Sequence, residues 1–241
     1  MIEVKNISKS FGKKNILDDI SFNINEGDSV AIIGQSGVGK SVILKHINGL
    51  LRPNQGNIVI DESTISSLSF NELQKVRKKM AMVFQFGALF DSMSIYDNIK
   101  IAIDNLTTLD KKHKKKRILN CLELVNLLNT KDMYPSDISG GMKKRIGIAR
   151  AISIKPKYIL YDEPTTGLDP INTDKIIKLM KNVQKNDQVT SIVVTHEMKI
   201  VNEMVNKVIM LFDGKIIFDG TPKELNSSND KYIKYFTLGR N

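Results

Sequence analysis

The chain has 241 residues, 41% of them apolar, and a formal charge of +10 at pH 7. That supplies a substantial core, in one large domain or one domain with an insertion, and excludes wholesale disorder. No window approaches the roughly 20 uninterrupted apolar residues of a membrane span. The start MIEVKNISKSF lacks a basic region followed by an apolar run, so no secretory leader is expected, and a single cysteine, Cys121, leaves no internal disulfide framework or Cys-based zinc site. A soluble protein of a reducing compartment is expected, with Cys121 an ordinary buried thiol.

The first sixty residues read as strands and turns. IEVKNISKSF alternates, GKKN turns, ILDDISFNI alternates again, and SVAII is a short apolar run. After GQSGVGKS the pattern VILKHINGLL is helical and stops before the turn residues RPNQG; NIVIDES reads as a strand. From about 70 to 155 the pattern is helical: NELQKVRKKM, with Asn71 as its expected N-cap, then KKHKKKRILNCLELVNLL, then SGGMKKRIGIARAI. In the last of these Met142, Ile146, Ala149 and Ile152 form one apolar stripe. Strands then return as KYILYDEP, VTSIVVTH and KVIMLFDGKIIFDG, with helices around 171–185 and 197–206. Strands alternating with helices imply a mostly parallel sheet with a helical block inserted into it. The basic balance favours anionic partners: nucleic acid, nucleotide or an acidic membrane surface. Its densest run, KKHKKKR at 111–117, reads as a solvated helix face.

Three motifs carry chemistry. GQSGVGKS, Gly34 to Ser41, follows an apolar strand and opens a helix, the context that a phosphate-binding loop requires. Gly34, Gly37 and Gly39 let the backbone curl, so that its N–H groups, those of Gln35, Ser36 and Val38 included, face phosphate oxygens. Lys40 reaches the β- and γ-phosphates of ATP, and the Ser41 hydroxyl ligates Mg²⁺. In YILYDEP a buried strand ends in Asp162 and Glu163. The strand's carboxyl edge is where the phosphate loop also ends. Asp162 is expected in the Mg²⁺ shell, and Glu163 orients water or accepts its proton. Third, Ser139, Gly140 and Gly141 open a helix whose bare N–H donors suit an anion. A second anion site makes sense if it contacts the nucleotide of another copy.

Together these residues resemble an ATP-binding-cassette (ABC) ATPase, with Ser139-Gly140-Gly141 as the signature loop; Ile138 and Met142 stand where the family usually has Leu and Gln. The resemblance runs to about residue 220. It implies a P-loop NTPase fold of the ABC type: a mostly parallel core sheet, an N-terminal antiparallel β subdomain and an inserted α-helical subdomain. Residues 1–241 form one ATPase domain, with 1–85 and 156–220 as the core, 86–155 as the helical subdomain and 221–241 as a tail. The resemblance further implies that Phe11 stacks on adenine, the alternative being a core Phe. Gln85 is the glutamine joining the subdomains and touching Mg²⁺ and water. His196 contacts the γ-phosphate, and Asp169 communicates across a head-to-tail homodimer in which Ser139–Gly141 meets the partner's ATP.

A single P-loop, no membrane span and no sustained heptads leave a stand-alone motor for a separate permease. The segment FQFGALFDSMSIYDNI with SGGMKKR resembles the ATPases of Mla/Mce-type lipid transporters, whose older label is ribonucleotide transport. That implies an MlaE-like permease, an Mce-domain lipid-binding protein and a peripheral seat on the cytoplasmic face of the inner membrane. The alternatives are an importer for amino acids or lipoproteins, or a soluble ABC regulator on nucleic acid; no nucleic acid is expected. In the tail, Tyr232, Tyr235 and Phe236 either pack on their own domain or clasp a neighbouring subunit.

Overall fold

The computed structural model describes residues 1–238. Strands β1 (Ile2–Phe11) and β2 (Lys14–Ile24) form a hairpin. Alternate residues such as Ile2, Val4, Ile20, Phe22 and Ile24 are buried, as period-two patterning dictates. β3 (Ser29–Ile33) is buried at every position, which suits a strand covered on both faces. α1 (Lys40–Ile47) stops short of the expected Leu51. Gly49 takes φ +69° and its N–H bonds back to the His46 carbonyl, closing the helix in a glycine turn.

β4 (Gln55–Ile60) and β5 (Ser63–Thr64) lead through a 3₁₀ turn to α2 (Phe70–Arg77). Its cap is Ser69, not Asn71. The Ser69 N–H donates to the Glu72 carboxylate at 2.9 Å and the Glu72 N–H to the Ser69 hydroxyl at 3.4 Å. Only Ser69 has a glutamate three residues on, so the reciprocal box forms there. β6 (Met80–Val83) follows, then α3 (Ile95–Leu106) and α4 (Lys111–Leu124), capped by Ser94 and Asp110. Next come α5 (Gly140–Ile152), β7 (Tyr158–Asp162) and α6 (Pro170–Asp187). The chain continues with β8 (Thr190–Val194), α7 (Met198–Met204) and the hairpin of β9 (Lys207–Phe212) with β10 (Lys215–Gly220). It ends in α8 (Pro222–Ser227) and α9 (Lys231–Leu238).

The chain forms two compact units, residues 1–77 with the chain from 190 onward, and residues 78–189. In the first, β2, β1, β4 and β5 form an antiparallel sheet in that order. β3 pairs in parallel with β8 on one side and β9 on the other. Ala31, Ile33, Val201, Val208, Met210, Leu225 and Ile233 share one core, with Tyr232 and Phe236 packed against it. The aromatic tail helix therefore packs on its own unit. Tyr235 faces out, and Gly239–Asn241 of the tail lie outside the described residues.

In the second unit β6 and β7 pair in parallel, Met80 beside Tyr158, and α3, α4 and α5 pack on one another. On α5, Ile146, Ala149 and Ile152 are buried and Met142 half-buried; Gly147, Ile148 and Ala151 are buried as well, so the stripe widens nearly to the whole helix. The basic run of α4 is largely exposed, with Lys114 paired to Asp104 and His113 to Asp110. Cys121 is a buried free thiol.

Candidate nucleotide site

In the first unit, Gly34, Gly37 and Gly39 hold φ values of +144°, +81° and +104°. A methyl group at Gly34 would lie 2.5 Å from the Leu211 carbonyl oxygen, so only glycine fits. Gln35, Ser36 and Gly37 are exposed, whereas Gly39 and Lys40 are buried and Val38 and Ser41 half-buried. The Lys40 ammonium donates to the Gly34 carbonyl at 2.9 Å and the Gln35 carbonyl at 3.0 Å, which holds it over the loop. The α1 N-cap, Gly39, makes no side-chain cap hydrogen bond, and a helix N-terminus of this kind favours an anion.

A cavity of about 290 Å³ opens against this loop, walled by Gln35–Val38, Lys14, Asp213 and Tyr232 among others. Phe11 is 49% exposed and pairs with Lys14 across the hairpin, so the core alternative for it is excluded. The Thr195 N–H bonds to the Ile32 carbonyl, so the exposed His196 leaves β8 beside the strand end that feeds the loop.

In the second unit β7 delivers Asp162 and Glu163, both half-buried, from a fully buried run. Glu163 has φ +48°, uncommon for a residue with a Cβ. The Thr166 hydroxyl donates to its Oε2 at 3.0 Å. Ser139 and Gly140 are exposed at the start of α5, where Ser139 accepts from the Met142 N–H; Gly141 is buried. Asp169 caps α6, and the Asn172 N–H and side chain hold its carboxyl below the usual carboxylate range.

Gln85 is half-buried just past β6. The aromatics around it are not core: Phe84, Phe86 and Phe90 are 38%, 77% and 49% exposed. The turn that carries them is clamped. Arg150 donates to the Gly87 and Ala88 carbonyls at 2.9 and 2.8 Å, and a methyl at Gly87 would lie 2.7 Å from the Lys143 carbonyl oxygen. The fully buried Asn98 accepts from the Phe90 N–H at 2.7 Å and donates to the carbonyls of Phe90, Met93 and Ser94. In the sequence Arg150 carries no mark, and Asn98 reads only as a turn or helix-start residue. An Arg in a basic helix and an Asn in a helix start carry no signal of the carbonyls that they reach.

A strand, a glycine loop of positive φ and a helix with a buried lysine, together with a buried strand ending in paired carboxylates, define a P-loop nucleotide-binding protein. The sequence model described as ABC transporter matches residues 17–166, and the chain belongs to that family; it is an ATPase subunit. It is 39% identical to the methionine import ATP-binding protein MetN of Clostridium tetani over 93% of this chain and 70% of that one. Identity is again 39% to the intermembrane phospholipid transport system ATP-binding protein MlaF of Haemophilus influenzae, over 99% of this chain and 90% of that one. Among solved structures, the dimeric post-hydrolysis state of the ATP-binding cassette MJ0796 bound to ADP and Pi is similar, with a TM-score of 0.85 and 32% identity. That match covers 92% of this chain and 99% of that one. The ABC ATPase fold expected from the sequence is the fold observed.

Proposed function

We propose that this chain hydrolyses ATP to drive a separate membrane permease that moves phospholipid, in a transporter of the Mla/Mce type. The observation that carries the lipid reading is the pairing of FQFGALF after β6 with SGGMKKR at the start of α5, which resembles the pairing in ATPases of Mla/Mce-type lipid transporters. The exposed Phe86 and Phe90 on a clamped turn support a docking role toward an MlaE-like permease, with an Mce-domain protein as a further partner. No described helix is long and apolar enough to cross a membrane, so the seat at the cytoplasmic face of the inner membrane is peripheral in this reading. The second reading, an amino-acid importer, draws on the equal identity to MetN.

The roles follow the chemistry of the donors. Gly34–Ser41 and Lys40 hold the phosphates, and Phe11 stacks on adenine. Ser41, Gln85 and Asp162 offer only hard oxygen ligands. Such a set fits Mg²⁺, which takes one or two protein groups alongside substrate phosphates. When bound, Mg²⁺ neutralises charge on the β- and γ-oxygens. Glu163 orients the attacking water and accepts its proton, and His196 contacts the γ-phosphate. Ser139–Gly141 and Asp169 serve the ATP of a second copy in a head-to-tail homodimer.

Glu163→Gln should retain ATP binding, trap the dimer and lose at least about 100-fold in hydrolysis. Turnover at the parental rate would remove Glu163 from its role. Lys40→Ala should lose ATP affinity; unchanged binding would undo the phosphate-loop assignment. For the cargo, the complex captured from membranes is reconstituted in vesicles and its ATPase rate is measured with phospholipid acceptor vesicles or with methionine. Stimulation by methionine alone would overturn the lipid reading, and tight nucleic-acid binding with no membrane partner would overturn the transporter reading.

A further inference from the structure

Glu163 sits in a turn that is held from a direction the motifs do not mention. Lys144, in the second turn of α5, is only 5% exposed. Its ammonium donates to the Thr166 carbonyl at 2.7 Å. Thr166 in turn donates its hydroxyl to Glu163 Oε2 at 3.0 Å, and its N–H to the Glu163 carbonyl at 3.4 Å. The Glu163 backbone lies at φ +48°, a conformation that persists only where the surroundings over-determine it. Burial pushes the Lys144 ammonium down from its ordinary range, and the charge of Glu163 pulls it back up. A buried cation is tolerated where hydrogen bonds and an opposite charge compensate it. Here the compensating groups are the two ends of one short turn, Thr166 and Glu163.

The geometry points to Lys144 as a positioning residue for Glu163: from the signature helix it fixes, through Thr166, the turn that aims the carboxylate. Lys144 lies three residues after Gly141, about one helical turn along α5. Any shift of the Ser139–Gly141 start is therefore carried by a rigid helix to the Thr166 carbonyl and on to Glu163. Seating the signature turn and aiming the carboxylate become one event, so a subunit with an unseated signature turn holds its Glu163 out of line. This rests on the reading of Glu163 as the group that orients water. A buried lysine serving only to fill space with its stem would leave the aim of Glu163 untouched.

The test uses the full chain with ATP. Lys144→Met keeps the stem and removes the ammonium. Expected is a fall in kcat of about 10- to 100-fold, the loss that a misplaced catalytic group brings, with ATP affinity held within about twofold. Lys144→Arg, which keeps a donor and the charge, should recover part of the loss. The decisive readout is a cycle with Glu163→Gln in single-turnover hydrolysis. Lys144→Met should slow the parent and have no further effect where the carboxylate is already gone. Thr166→Val, which deletes only the hydroxyl link, gives a second route to the same result should Lys144→Met fail to fold. The inference is overturned if Lys144→Met turns over at the parental rate, or if it slows both backgrounds by the same factor. Glu163→Gln hydrolysing at the parental rate overturns the reading of Glu163 and this inference with it; an inactive Glu163→Gln with additive effects overturns this inference alone.

Discussion

The phosphate loop and the signature turn are both glycine-rich entries to a helix, and they use glycine for opposite reasons. At Gly34, Gly37 and Gly39 every φ is positive, and a methyl at Gly34 collides with backbone. Those glycines make a shape that residues with a Cβ rarely adopt. Gly140 and Gly141 have no positive φ; a methyl at Gly140 would meet nothing within 4 Å, and one at Gly141 would meet only Asn172 and Leu168 at van der Waals distance. Nothing in the fold of this chain requires Gly140 to be glycine. The helix starts differ likewise: α1 has no side-chain cap, while α5 is capped by Ser139. One loop is thus shaped by its own backbone, and the other is a capped helix start with Ser139 and Gly140 exposed, for which the proposed use is the nucleotide of a second copy.

The sharpest way to break this contrast is at the two glycines. Gly34→Ala should abolish ATP binding and destabilise the protein by at least about 1–3 kcal/mol, because the loop must leave its conformation. Equilibrium ATP binding and thermal unfolding check both effects. Gly140→Ala should do the reverse to stability, raising it by up to roughly 0.5 kcal/mol, because Gly140 is the first residue of α5 and the alanine preference of a helix interior acts only in part there. ATP affinity should stay put while turnover falls by about tenfold or more, because the methyl stands where a facing nucleotide would approach. A Gly140→Ala protein that hydrolyses ATP normally would mean that the signature turn meets no second nucleotide.

The same contrast explains what was legible in the sequence. The local shape of Gly34–Ser41 and Asp162–Glu163 is legible because neighbouring residues dictate it: Gly34, Gly37 and Gly39 mark a tight turn after a buried strand, and Asp162–Glu163 the polar end of another. β3 spans Ser29–Ile33, as the run SVAII announces. What stayed hidden is where a side chain reaches across the fold. Lys144 is one of two adjacent lysines in SGGMKKR, yet it is buried on a carbonyl 22 residues away. Arg150 grips Gly87 from 63 residues away, and nothing in either segment's pattern encodes that pairing. Asn71 is not the cap for a smaller reason: propensity favours any Asn there, but the glutamate at the right offset belongs to Ser69.

A smaller effect separates the two helix starts directly. Ser139→Ala removes the hydroxyl that accepts from the Met142 N–H and should destabilise the protein by about 1 kcal/mol. Adding Gly140→Ala to it should offset up to roughly half of that loss in stability without restoring turnover. Unfolding curves and ATPase rates on the single and double variants check this. A double variant that recovers both would tie the loss of activity to a frayed helix rather than to the contact surface.

The least effect is expected behind the phosphate loop, where α1 carries a group that answers to pH. His46 is 1% exposed, its Nδ1 bonded to the Val42 carbonyl and its Nε2 without a hydrogen-bond partner among the described residues. Burial pushes its pKa below the ordinary histidine value, the nearby Lys9 pushes the same way, and the Val42 bond opposes them only in part. The unfolded chain therefore binds the proton first. The stability that His46 contributes is present above about pH 6.5 and is lost as pH falls through the lower value of the folded state. Melting temperatures measured from about pH 7.5 down to about pH 5 should fall more steeply in the parent than in His46→Leu, which carries no titrating group at this position. Parallel curves would show that the folded protein accommodates the charged imidazole, and that the helix behind the phosphate loop is no more sensitive to acid than the one behind the signature turn.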